Sequence, residues 1–115
     1  MNKNLYKEPV PISRAEAQLA FSSGKPQKIC DALVRVTFNE PDWRWVQDEC
    51  LRFIDNPNPD VRGLAVTCIG HIARIHGHLD TERVIERLKR IGKDDEIYGR
   101  VEDALDDIKT FINEK

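Results

Sequence analysis

An all-α fold of about six antiparallel helices is predicted by three features of the sequence. Apolar residues recur at helical spacing, most clearly in Val61, Leu64, Ala65, Cys68, Ile69, Ile72 and Ile75. No segment alternates apolar and polar residues with period two, and no Asn-Gly or Asp-Gly hairpin turn occurs. The periodic segments are separated by short breaks of Gly, Pro, Asn and Asp, and short connections place consecutive helices antiparallel.

Residues 1–12 carry Pro9 and Pro11 and read as an extended arm, with Leu5, Tyr6, Val10 and Ile12 placed to cover the edge of the core. Residues 13–115 form one helical domain. Ser13 and Glu16 make a capping box, in which each side chain satisfies the other's unpaired amide. The first helix then buries Ala17, Leu19, Ala20 and Phe21 and stops near Gly24. Pro26 opens a second helix with Ile29, Ala32, Leu33 and Val36 inward, and Asn39-Glu40-Pro41 breaks it. A third helix spans about Asp42 to Ile54, with Trp43, Val46, Cys50, Phe53 and Ile54 as core candidates. Asp80 or Thr81 caps a fifth helix with Val84, Ile85, Leu88 and Ile91 on its stripe. The sixth runs from about Asp95 to Ile112 on Ile97, Val101, Ala104, Leu105, Ile108 and Ile112.

The fourth helix organises the rest, and both its ends are marked. Asn58 can accept from a first-turn amide, Pro59 needs no amide partner at the next position, and Gly77 supplies the left-handed residue that ends it. Besides the apolar stripe it carries a second face of Gly63, Val66, Gly70 and Ala73. Each internal glycine costs roughly 1 kcal/mol relative to alanine. Close approach of a neighbouring helix is the expected compensation. Burial of the larger stripe side chains contributes about 1.5–3 kcal/mol each.

Helix starts repeat. Pro41-Asp42-Trp43-Arg44 matches Pro59-Asp60-Val61-Arg62, and Asp60-Val61, Gly63, Cys68, Ile69 and Ile72 match Glu96-Ile97, Gly99, Ala104, Leu105 and Ile108. Periods of about 20–50 residues indicate stacked helical units. These residues resemble the HEAT-repeat family and its armadillo relatives. Asn58 through Ile72 is similar to that family's Asp-x-x-Val-Arg-x-x-Ala-x-x-x-Leu-Gly-x-Ile pattern, with Asp60 displaced toward Val61. The resemblance covers about residues 40–112. It departs at the half-repeat step from Pro41 to Pro59 and at Tyr98, where the family usually carries arginine. It implies a short HEAT-like α-α superhelix, and fold alone does not fix function. Small proteins similar to HEAT repeats include bacterial immunity proteins, among them those of contact-dependent inhibition systems. That resemblance implies a cognate toxin as partner, often a basic nuclease, covered by an acidic surface.

The composition narrows the function classes. The chain has 115 residues, one third of them charged, with a net charge of −2. Bulk charge therefore does not favour nucleic acid. No apolar run is long enough to span a membrane. The start Met1-Asn2-Lys3-Asn4-Leu5 lacks the apolar segment of a signal peptide, and a cytoplasmic setting is expected. Cys30, Cys50 and Cys68 fall on or beside apolar stripes in no zinc spacing and read as core. His71, His76 and His78 lie at one helix end without ligand spacing beside them, so no metal is expected. No phosphate loop or nucleophile elbow is present, and neither catalysis nor a cofactor is expected.

What remains is surface. Trp43 and Trp45 sit two apart on one helix and cannot both face one core. One of them, with Tyr98, either meets a partner or covers a gap between helices. The last helix carries Glu102, Asp103, Asp106 and Asp107 off its stripe, beyond the reach of the helix dipole. Spaced carboxylates there repel by a few tenths of a kcal/mol, and a basic partner would relieve this. Arg83, Arg87 and Arg90 interleave with Glu82 and Glu86 and read as a salt-bridged surface. The expected function is a protein-binding module: an immunity protein that neutralises a toxin through Trp43, Trp45, Tyr98 and the four carboxylates. The alternatives are a scaffold subunit and a HEAT-like DNA glycosylase or nucleic-acid binder working through Arg83, Arg87, Trp43 and Trp45.

Overall fold

The computed structural model describes residues 8–112. It contains six helices: α1 (Arg14–Phe21), α2 (Pro26–Asn39), α3 (Trp43–Phe53), α4 (Pro59–His76), α5 (Thr81–Lys89) and α6 (Tyr98–Phe111). No strand occurs among the described residues. The local start and stop signals act as their chemistry requires. Ser13 Oγ accepts from the Glu16 amide at 3.1 Å while Glu16 Oε1 accepts from the Ser13 amide at 3.2 Å. Asn58 Oδ1 accepts from the amides of Asp60 and Val61 at 2.8 and 3.2 Å. Gly77 ends α4 at φ +70°, which strains any residue with a Cβ.

Two parallel layers emerge from the contacts. In the first, Arg14 pairs with Asp42 at 2.6 Å and the Phe21 and Phe53 rings lie 5.1 Å apart, so α1 and α3 run the same way. Arg44 reaches Asp80 at 3.1 Å, and Arg83 and Arg87 bond Asp48 and Asp55, so α5 follows in the same direction. In the second layer α4 lies between α2 and α6. Arg100 of α6 donates to Thr67 Oγ1 at 2.8 Å and Asp107 lies over Gly70, which sets α6 parallel to α4. The bonded pairs Arg62–Asp95, Arg100–Thr67 and Arg44–Asp80 are 33, 33 and 36 residues apart, so each helical pair rests on the next.

α4 is held from three sides, by α2, α3 and α6. Val61, Ala65, Cys68, Ile69 and Ile72 are fully buried. The small-residue face faces α6: a Cβ on Gly70 would stand 2.6 Å from Asp107 Oδ2 and 3.4 Å from the Ala104 backbone. One on Gly63 would meet the Arg100 side chain at 2.9 Å. Gly70→Val should therefore cost about 1–3 kcal/mol by overpacking, read by urea unfolding.

Several expectations are corrected. Leu19 is 74% exposed, because α1 packs through Ala17 and Phe21 and turns Leu19 outward. Ile75 is 40% exposed, since it lies in the last turn of α4 at the stripe's edge. The sixth helix begins at Tyr98 rather than Asp95. Asp95 stays in the preceding turn, accepts from the Ile97 amide at 3.0 Å and pairs with Arg62 at 2.7 Å. Asp80 precedes α5 but makes no side-chain cap, because its carboxylate is bound elsewhere. Residues 8–12 lie against α2: Arg35 donates to the Val10 and Pro11 carbonyls at 2.8 and 3.1 Å, and Asn39 to Pro9 at 3.0 Å. The expectation for Leu5 and Tyr6 lies outside the described residues.

Candidate partner-binding surface

The two layers separate the residues that the sequence singled out. Trp43 and Trp45 belong to α3, whereas Tyr98, Glu102, Asp103, Asp106 and Asp107 belong to α6. Each indole is half-buried in a different seam. Trp43 stacks on His78 with ring centres 5.8 Å apart, under the Arg44 guanidinium at 4.6 Å. Trp45 packs on Phe21 at 6.4 Å, with the Arg14 guanidinium 4.7 Å above it. Tyr98 is half-buried at the head of α6. Glu102, Asp103 and Asp106 are exposed, and Asp107 is half-buried against α4.

The distribution of ion pairs distinguishes α6. Among the described residues, every arginine of α1, α2, α3 and α5 holds a carboxylate, and so does Arg62 of α4. Most of these pairs are exposed and each contributes only about 0–1 kcal/mol. Their effect is on the field: the arginine charge on those helices is neutralised locally. The four carboxylates of α6 make no such pair among the described residues. Asp103 and Asp106 are exposed without an ion-pair partner among the described residues, on a helix that also carries Arg100 and Lys109.

The α3–α5 seam is occupied by a buried polar cluster. Gln47 is fully buried, and its Oε1 accepts from the Asp80 amide at 2.7 Å. Its Nε2 donates to Asp80 Oδ2 at 2.9 Å and to Asp48 Oδ1 at 3.2 Å. Asp80 also binds Arg44 and Arg83. The Gln47 amide, and then Arg44, hold the Asp80 carboxyl below the usual carboxylate range. Arg62 and the Ile97 amide do the same for Asp95. In the α3–α4 seam Cys50 and Cys68 meet beside Thr37, and the contact with Cys68 together with burial pushes the Cys50 thiol well above its ordinary value. A buried, protonated thiol is a packing group. Among the described residues no three His, Cys, Asp or Glu side chains gather to hold a metal, and no helix is long and apolar enough to cross a membrane.

No family model and no curated protein matches the chain. Among solved structures, a chain of the crystallised CDI complex from Cupriavidus taiwanensis LMG 19424 superposes with a TM-score of 0.81. The two are 37% identical, over 92% of this chain and 96% of that one. The chain belongs to the family of that CDI-complex component. In this CDI-complex family member, the sequence reading missed two features of the surface. One is the Gln47–Asp80 cluster, whose partners are 33 residues apart and carry no local pattern. The other is a set of large apolar side chains left to solvent near helix ends, Phe38, Ile75 and Phe111. A signal for the second existed: the step that carries Asp60 onto Glu96 also carries Ile75 onto Phe111.

Proposed function

We propose that this chain is an immunity protein of a contact-dependent inhibition system. It binds a cognate toxin domain in the cytoplasm and blocks it without catalysis of its own. The observation that carries this reading is the kinship, over nearly the whole of both chains, with a component of a CDI complex. The α6 carboxylates support a basic toxin, of the kind that acts on nucleic acid. A protein that must grip phosphates carries clustered positive charge. An immunity protein that presents free carboxylates competes for that surface, steers the encounter and sets its register.

The test pairs this chain with a CDI toxin domain, taken from the C-terminus of a large secreted protein if one is encoded beside it. The two purified proteins should form a stable complex, and co-expression should restore growth that the toxin domain stops. Asp103→Lys combined with Asp106→Lys should lower the association rate about tenfold at low salt, with the effect shrinking as salt rises. The melting temperature should stay unchanged, since both side chains are exposed. No complex, or no growth rescue, would sink the immunity reading. An unchanged association rate would remove α6 from the encounter surface.

A further inference from the structure

Thr37 of α2, Cys50 of α3 and Cys68 of α4 meet where these three helices pack on one another, and all three side chains are fully buried. The remaining thiol, Cys30, stands half-buried on α2. The Thr37 hydroxyl makes no hydrogen bond among the described residues, so its proton can turn to either sulfur. A buried hydroxyl without a partner is uncommon and calls for a cause. The two thiols are driven apart in acidity. Contact with Cys68 and burial push Cys50 well above its ordinary value, whereas contact with Cys50, helped by Thr37, draws Cys68 below its own. One sulfur of the pair is thus the better nucleophile and the other holds its proton.

We infer that Cys50 and Cys68 are a latent dithiol that a hydroperoxide converts into a disulfide tying α3 to α4. The inference is independent of the partner the chain binds. The Cys68 sulfur attacks one oxygen of hydrogen peroxide and the O–O bond breaks. Cys68 becomes a sulfenic acid, and its thiol proton leaves with the second oxygen as water. The Cys50 sulfur then attacks the Cys68 sulfur. The S–O bond breaks, and the hydroxyl leaves with the Cys50 proton as a second water. Two thiols are oxidised and one peroxide is reduced to two waters. The Thr37 hydroxyl is a positioning group that donates to the departing oxygen. A small oxidant suits a buried pair, because no bulky mixed disulfide has to fit between the helices. α2 and α6 also pack on α4, so the bond fastens α3 to the centre of the fold.

The experiment treats the folded Cys30→Ser chain with hydrogen peroxide, so that no third thiol takes part. The mass should fall by two hydrogens. A tryptic digest should link the peptide of Cys50 to that of Cys68, which Arg52 and Arg62 separate in sequence. The melting temperature should rise by about 5–15 °C and return on addition of dithiothreitol. Thr37→Val should slow the cross-linking about tenfold without lowering the melting temperature of the reduced chain, since its hydroxyl makes no hydrogen bond. Thiols that stay reduced in the folded chain but oxidise once urea unfolds it would overturn the inference. So would oxygen atoms added to either cysteine without a link between them. A rate unmoved by Thr37→Val would overturn the part given to Thr37.

Discussion

Ile69→Ala is expected to cost about 2–5 kcal/mol of stability, the range for removing a large aliphatic side chain from a packed interior. Ile69 is fully buried in α4, the helix against which α2, α3 and α6 all pack. Ile75→Ala, in the same helix, should stay within about 0.5 kcal/mol, because its side chain is already 40% exposed. Urea unfolding of the two variants decides the matter. Equal costs would mean that α4 is not the packed centre of the fold.

Asp80→Ala should destabilise by about 1–3 kcal/mol, the cost of leaving a buried polar group short of its partner. The exposed pair with Arg44 contributes little to that figure. The buried Gln47 amide is what loses its acceptor, keeping only Asp48. Gln47→Leu combined with Asp80→Ala should recover most of the loss, because both polar partners are then removed. The acid dependence has a definite sign. The folded chain lowers the Asp80 and Asp95 carboxyl pKa values, so their contribution is complete above the unfolded value of about 3.9 and is lost as pH falls through the folded values. Stability should hold steady from neutral pH to about 5 and decline below about 4. Asp80→Ala should flatten that acid limb. A decline that begins near pH 6.5 would instead implicate histidine.

The helix boundaries were legible where the determining groups are neighbours in sequence. Ser13 with Glu16 and Asn58 with Pro59 and Gly77 each act within one turn, and each acts so in the structure. The face of α4 that would accept a close neighbour was legible for a related reason: a glycine inside a helix needs a packing cause, and α6 supplies it at Gly63 and Gly70. Asp80 stands at the N-cap of α5 as expected but without a side-chain cap bond, and Asp95 lies outside α6, because a carboxylate before a helix has two uses. The choice between capping and a distant partner depends on Gln47 and Arg62, which only the fold brings near. Leu19 and Ile75 were placed inside because periodicity reports a face and not whether a neighbour extends far enough to cover it. The candidate surface was half legible. The α6 carboxylates stand out by their lack of explanation along the chain, whereas the two tryptophans resolve into separate seams with His78 and Phe21.

The two layers have a mechanical consequence. α4 is clamped by three helices, while α5 and α6 close one flank of the molecule. Amides should exchange with solvent slowest around Ile69–Ile72, in the spine of the fold, and sooner along α5, the helix with the sparsest packing. A margin that yields can adjust its fit as it closes on another molecule, and it spends some of the contact energy on ordering as it does so. The spine holds the opposite edge of the same surface in place meanwhile. One small fold thereby offers a rigid anchor at α4 and α6 beside a compliant edge at α5.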